Sequence, residues 1–158
     1  KLDEDVDHGP ILAKAEERIE PTDTAETLYE RLFKKGAELL SQNIQKYIKG
    51  ELKETVQDHT KATFTKRLTR NDGFFDIQTP PSPEKLDRMI HAYYSWPGVW
   101  SKFQLVPSST RGVAAQKIVK FLPEQKIQVE GGKPMNYKDF LNGYPEARQL
   151  LKQVLSEA

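Results

Sequence analysis

The chain is 158 residues long, with 37% apolar and 30% charged residues, which allows one ordinary domain or two small ones and excludes a large multidomain enzyme. It has no cysteine, which excludes disulfide frameworks, thiol nucleophiles and cysteine-based metal sites, and no run of about 18 apolar residues that would cross a membrane. The net charge of +1 conceals an asymmetry: residues 1–60 carry nine Lys/Arg against fourteen Asp/Glu and residues 61–145 carry thirteen against seven, so the middle of the chain is the part suited to a polyanion.

Lys1 stands where a translated chain would have Met and no secretory leader follows it, so residue 1 reads as a cut end and the cytoplasm is the expected compartment. Asp7-His8-Gly9-Pro10 is turn chemistry, and Ile11 to Ile19 is expected to form a strand, with apolar residues at Ile11, Ala13, Ala15 and Ile19. Thr22-Asp23-Thr24 supplies capping oxygens for a helix from about residue 24 to Lys49, ended by Gly50. Its apolar residues Leu28, Leu32, Phe33, Leu39, Leu40, Ile44, Tyr47 and Ile48 recur every three or four positions. Residues 51–61 are polar and aperiodic, which reads as a linker or surface loop, and the charge balance changes sign there.

Ala62 to Leu68 is expected to be extended, Asn71-Asp72-Gly73 a turn, and Phe74 to Ile77 extended again. Ser82 followed by Pro83 is a helix start, with Leu86, Met89, Ile90 and Tyr93 on one stripe ending near Ser95. Strands are expected at Val99 to Phe103, Lys117 to Leu122 and Lys126 to Val129. Asn136 caps a short helix through Leu141, and Pro145 opens a last one bearing Ala147, Leu150, Leu151, Val154 and Leu155.

Asp7-His8-Gly9-Pro10-Ile11-Leu12, Pro21-Thr22-Asp23-Thr24, Gly36-Ala37-Glu38-Leu39-Leu40, Gln57-Asp58, Ala62-Thr63-Phe64, Asp72-Gly73 and Trp96-Pro97-Gly98-Val99-Trp100 stand in the order found in methionyl-tRNA formyltransferases. The chain resembles the later part of that family. The resemblance implies an α+β chain in two parts. Residues 1–55 would be the C-terminal end of the formyltransferase catalytic domain, a long helix and an edge strand from a Rossmann-like sheet. Residues 56–158 would be the family's tRNA-binding-type domain, shortened. Between Val99 and Pro134 there is room for about three short strands, so a reduced, OB-like antiparallel sheet is expected rather than a closed barrel.

The resemblance also implies a chemistry: transfer of a formyl group from 10-formyltetrahydrofolate to the amino group of initiator Met-tRNA, in translation initiation. Asp7 matches the family's catalytic aspartate, which orients a histidine and manages the amine proton while His and Asn stabilise the oxyanion. The family's Asn-x-His pair is absent: Asn43, Asn71, Asn136 and Asn142 are followed two places later by Gln, Gly, Lys and Tyr. The chain is therefore expected to be incomplete and inactive alone. Read from the residues only, Asp7 is a turn aspartate before Gly-Pro.

His8 lies beside Asp7 but points to the other side of an extended segment, and His8, His59 and His91 read as surface or packing residues with no metal-binding spacing. For RNA the candidates are Lys61, Lys66, Arg67, Arg70, Arg88, Lys102, Lys117 and Lys120, with Arg111, Lys126 and Lys133 beside them; a solvated charged surface is the alternative for each. Tyr93, Tyr94, Trp96 and Trp100 offer stacking surfaces but read as core. The long helix, parted from the sheet on which the family would pack it, is expected to self-associate through residues 25–48. Two other readings stay open: an RNA-binding or interaction module of the same descent without chemistry, and a sugar-nucleotide formyltransferase, since that class and 10-formyltetrahydrofolate dehydrogenase share parts of these motifs.

Overall fold

In the computed structural model the described residues are 1–106 and 114–154, the side chain of residue 153 excepted. They divide into two compact units, one of Lys1–Pro21 with Thr27–Arg67, the other of Thr22–Glu26 with the residues from Leu68 onward.

The first unit is built on helix α1, Ala25–Ile48, which starts directly after Thr24 and is followed by Gly50 in the left-handed region at φ 71°. A left-handed residue just past the last turn is the usual way a helix stops, and glycine adopts it without strain. The expected strand over residues 11–19 does not form. Ile11 alone pairs, exchanging both backbone bonds with Thr55 at 2.8 and 2.9 Å. Further along, side chains of α1 meet the backbone in place of a neighbouring strand: Arg31 donates to the Arg18 carbonyl at 2.8 Å and Lys35 to the Glu16 carbonyl at 2.7 Å. Both cations also grip the Glu17 carboxylate, which holds it below its ordinary acidity range.

Residues 51–61, expected as a linker or surface loop, lie at the surface and carry the Thr55 bridge and a 3-10 turn at His59–Lys61 capped by Asp58. Ala62 to Leu68 carries no regular pairing. No residue from 1 to 67 is buried, so this unit has no hydrophobic core.

The second unit has a core. Its sheet is an antiparallel meander in the order β1, Val99–Leu105; β2, Ala115–Leu122; β3, Lys126–Val129; and β4, Met135–Asn136. The three strands expected between Val99 and Pro134 are β1, β2 and β3, and β4 lies beyond that window. Alternation along β1 and β2 buries Val99, Ser101, Phe103, Leu105, Val119 and Phe121 on one face. Helices α2, Pro83–Ala92; α3, Tyr137–Gly143; and α4, Arg148–Val154, contribute Leu86, Ile90, Phe140 and Leu151 to the same core.

Ser82 accepts a bond from the Lys85 amide and Asn136 from the Asp139 amide, as the capping pattern predicts. The last helix begins with a 3-10 turn over Pro145–Ala147, and Leu155 lies outside the described residues. The aromatic cluster is not uniformly core. Trp96 is 59% exposed and Trp100 half-buried, because the strand parity that buries Val99 and Ser101 turns Trp100 to the outer face.

Candidate functional site

Asp7 is held in the left-handed region at φ 56°, a conformation that aspartate tolerates better than most residues. Two bonds from one side chain fix it there: the Gln57 amide donates to the carbonyls of Asp7 at 2.9 Å and Gly9 at 2.7 Å. Gly9 is obligatory, because a Cβ at that position would stand 1.8 Å from the Lys1 carbonyl oxygen. Asp7 therefore sits on a loop whose backbone is determined by long-range contacts. Asp7, Lys14, Gln57, Asp58, His59 and Lys61 are among the residues lining a cavity of about 300 Å³.

His8 does not pair with Asp7. Its Nδ1 lies 2.7 Å from Asp3 Oδ2, and its ring stacks on His59 with centroids 3.7 Å apart and planes 11° from parallel. The Asp3 carboxylate, by accepting that bond, raises the His8 imidazole above its ordinary value, and the same bond lowers Asp3. Lys61 is tied to Asp58 at 3.0 Å. Among the described residues no group of three His, Asp or Glu is arranged to hold a metal ion.

The second unit carries a basic surface on the outer face of its sheet. Trp100 stands opposite Lys120, and Lys102 opposite Ile118, in the β1–β2 register. Arg70 lies over the Trp100 ring, its guanidinium carbon 5.5 Å from the centroid, and its carbonyl accepts the Trp100 indole N–H at 3.1 Å. Phe74 adds a second ring 4.8 Å from Trp100. An aromatic face flanked by cations offers both stacking and phosphate neutralisation.

Of the basic candidates, the structure brings Arg70, Lys102 and Lys120 to this face. Lys117, opposite buried Phe103, has the other parity, and Arg88 is exposed on α2. Lys61, Lys66 and Arg67 belong to the first unit. Lys126 is paired with Glu124 at 2.6 Å, and Arg111 lies outside the described residues.

A family model described as formyl transferase matches residues 1–44. Methionyl-tRNA formyltransferase of Chloroflexus aurantiacus is 42% identical over 100 residues, 63% of this chain and 32% of that protein. Those of Koribacter versatilis and Treponema pallidum are each 30% identical over 91% of this chain and 52% of their own length. The chain belongs to the methionyl-tRNA formyltransferase family. It spans between about a third and a half of the length of these relatives.

Asp3 and Gln57 are contacts of the Asp7 loop to which the bare sequence assigns no role, and His59, expected as a surface or packing residue, stacks on His8. Gln57 appeared only as part of a short motif, since nothing local reveals that its amide reaches two carbonyls about fifty positions earlier in the chain.

Proposed function

We propose that this chain carries one part of the machinery that moves a formyl group from 10-formyltetrahydrofolate to the amino group of initiator Met-tRNA in the cytoplasm, at the start of translation. The observation that carries the reading is the placement of Asp7. It falls inside the segment matched to formyl transferases, and the loop that bears it is fixed at a cavity edge by Gln57 and Gly9. Residues 1–55 are then the end of the catalytic domain and residues 56–158 the tRNA-binding-type domain. Asp7 would manage the amine proton, and the oxyanion donors must come from an Asn-x-His pair that these 158 residues lack.

Formyltransferases generally use formyl-tetrahydrofolate. A cavity of about 300 Å³ is at the lower limit for enclosing a small ligand. The residues here accordingly fit as one wall beside Asp7, not as a complete folate site. The outer sheet face, with Arg70, Trp100, Lys102 and Lys120, is the surface we assign to the tRNA, Arg88 and Lys117 lying outside its centre; Lys61, Lys66 and Arg67 would add phosphate contacts from the first unit.

The purified chain, given 10-formyltetrahydrofolate and initiator Met-tRNA, is expected to yield no formylated product while binding the tRNA with an affinity that falls as salt rises. Lys102→Gln with Lys120→Gln should flatten that salt slope by about two phosphate contacts. Formylation at an ordinary rate would overturn the inactivity, and salt-independent or undetectable tRNA binding would overturn the assignment of the face.

A further inference from the structure

A separate cleft of about 670 Å³ lies in the second unit, bounded by α2, the β2–β3 turn, α3 and α4. Its size is well inside the range of small-molecule sites, roughly 300–1,000 Å³. The floor is apolar, built from Leu86, Ile90, Leu122, Leu141, Leu151 and Val154. The rim is charged, and its charges are unevenly satisfied.

The two rim carboxylates have cationic or imidazole neighbours of their own: Glu124 takes Lys126 at 2.6 Å, and an Asp87 oxygen lies 3.5 Å from His91 Nδ1. The rim cations Lys138, Arg148 and Lys152 have no ion-pair partner among the described residues. Arg148 and Lys152 are one helical turn apart on α4, so they share a side of the helix. Tyr137 adds a phenol to the wall. Burial, with a smaller push from Asp87, raises it to about 12, so it stays a protonated donor.

We propose that this cleft binds a small amphipathic carboxylate, its apolar body on the leucine and isoleucine floor and its carboxylate against Arg148 and Lys152. The guanidinium matches a carboxylate through two parallel hydrogen bonds, and the lysine adds a point charge beside it. A neutral ligand of the same shape would gain only the floor. A cationic one would meet three positive charges, those of Lys138, Arg148 and Lys152. The inference is independent of formyl transfer, since every residue it uses lies in the second unit and none is among those around Asp7.

The test titrates the 158-residue chain with 2-naphthoate, 2-naphthylmethanol and 2-naphthylmethylammonium while following backbone amides by NMR. Naphthoate should saturate with a dissociation constant below about 1 mM, shift amides in residues 86–91, 122–125 and 137–152, and bind at least ~10-fold more tightly than the alcohol. The ammonium should be weakest. Arg148→Gln with Lys152→Gln, both at exposed positions, should cost naphthoate about tenfold and leave the alcohol unchanged. The proposal fails if naphthoate binds no better than the alcohol, if the double variant binds it as well as the parent, or if the shifts fall on α1 instead of the cleft. The comparison of the three probes stands on the parent chain alone and does not depend on the variant.

Discussion

His8 and Asp3 form a close polar contact at 2.7 Å beside Asp7, and the pair has a definite pH dependence. The carboxylate raises His8 above the ordinary imidazole value of 6.5, so the stability it adds is complete below 6.5 and disappears as pH rises through the raised value. Asp3 is lowered from 3.8, so its share is present above 3.8 and is lost as pH falls through the lowered value. The pair is therefore strongest between pH 3.8 and 6.5. An NMR titration of the imidazole protons should place the His8 midpoint above 6.5, and Asp3→Asn should bring it down. A midpoint at or below 6.5, or one indifferent to Asp3→Asn, would show that the ring bonds elsewhere in solution. Because both side chains are exposed, the expected effect is on titration and loop order and not on global stability.

The second unit depends at the level of its elements on one close approach. A Cβ on Gly73 would lie 1.7 Å from the Gly98 carbonyl oxygen, so the 3-10 turn at Arg70–Gly73 and the entry to β1 share a space that only glycine permits. Gly73→Ala is expected to destabilise this unit by more than about 2 kcal/mol, whereas Gly143→Ala, which meets nothing within 4 Å, should change it by less than about 1 kcal/mol. Denaturant unfolding followed by tryptophan fluorescence measures both, and equal midpoints for the two variants would contradict the account. The elements most legible in the sequence are those whose causes are local. The ends of α1, the Ser82 and Asn136 caps and the β2–β3 pairing each follow from residues a few positions apart. Residues 11–19 differ from the expected strand because alternation says nothing about a partner: the pairing partner is a single residue, Thr55, and the Glu16 and Arg18 carbonyls are met by Lys35 and Arg31. Trp96 departs from the expected core position for a related reason, since a large aromatic before Pro-Gly has the composition of a core corner while here it is 59% exposed. Asp7 stands in a short motif legible in the sequence, whereas the cavity beside it is not legible, because Gln57 and His59 come to this loop from about fifty residues away.

At the scale of the whole molecule the two units differ in what holds them. Among the described residues the second buries fifteen apolar ones, while no residue from 1 to 67 is buried. Ordering a residue costs on the order of 1–2 kcal/mol, and a few bonds among partly exposed groups, such as Glu17 with Arg31 and Lys35, offset little of that. The largest unused source of stability in the first unit is the apolar side of α1, where Tyr29 is 61% exposed, Phe33 62%, Leu40 62% and Ile48 69%. Gly36 lies between Phe33 and Leu40, and a Cβ there would meet nothing within 4 Å. In a helix interior glycine costs about 1 kcal/mol relative to alanine, and no close approach among the described residues offsets it. A second copy of α1 crossing at Gly36 would bury both apolar sides and bring the two backbones close, which accounts for the glycine and the exposed rings together. Sedimentation equilibrium from about 1 μM to about 1 mM spans association free energies of roughly −8 to −4 kcal/mol and should show the average mass rising with concentration. Phe33→Glu with Leu40→Glu should return the chain to a monomer without moving the unfolding transition of the second unit. A clean monomer at the highest concentration would mean that the apolar side of α1 is left to solvent or to a different protein, and self-association through residues 25–48 would be wrong.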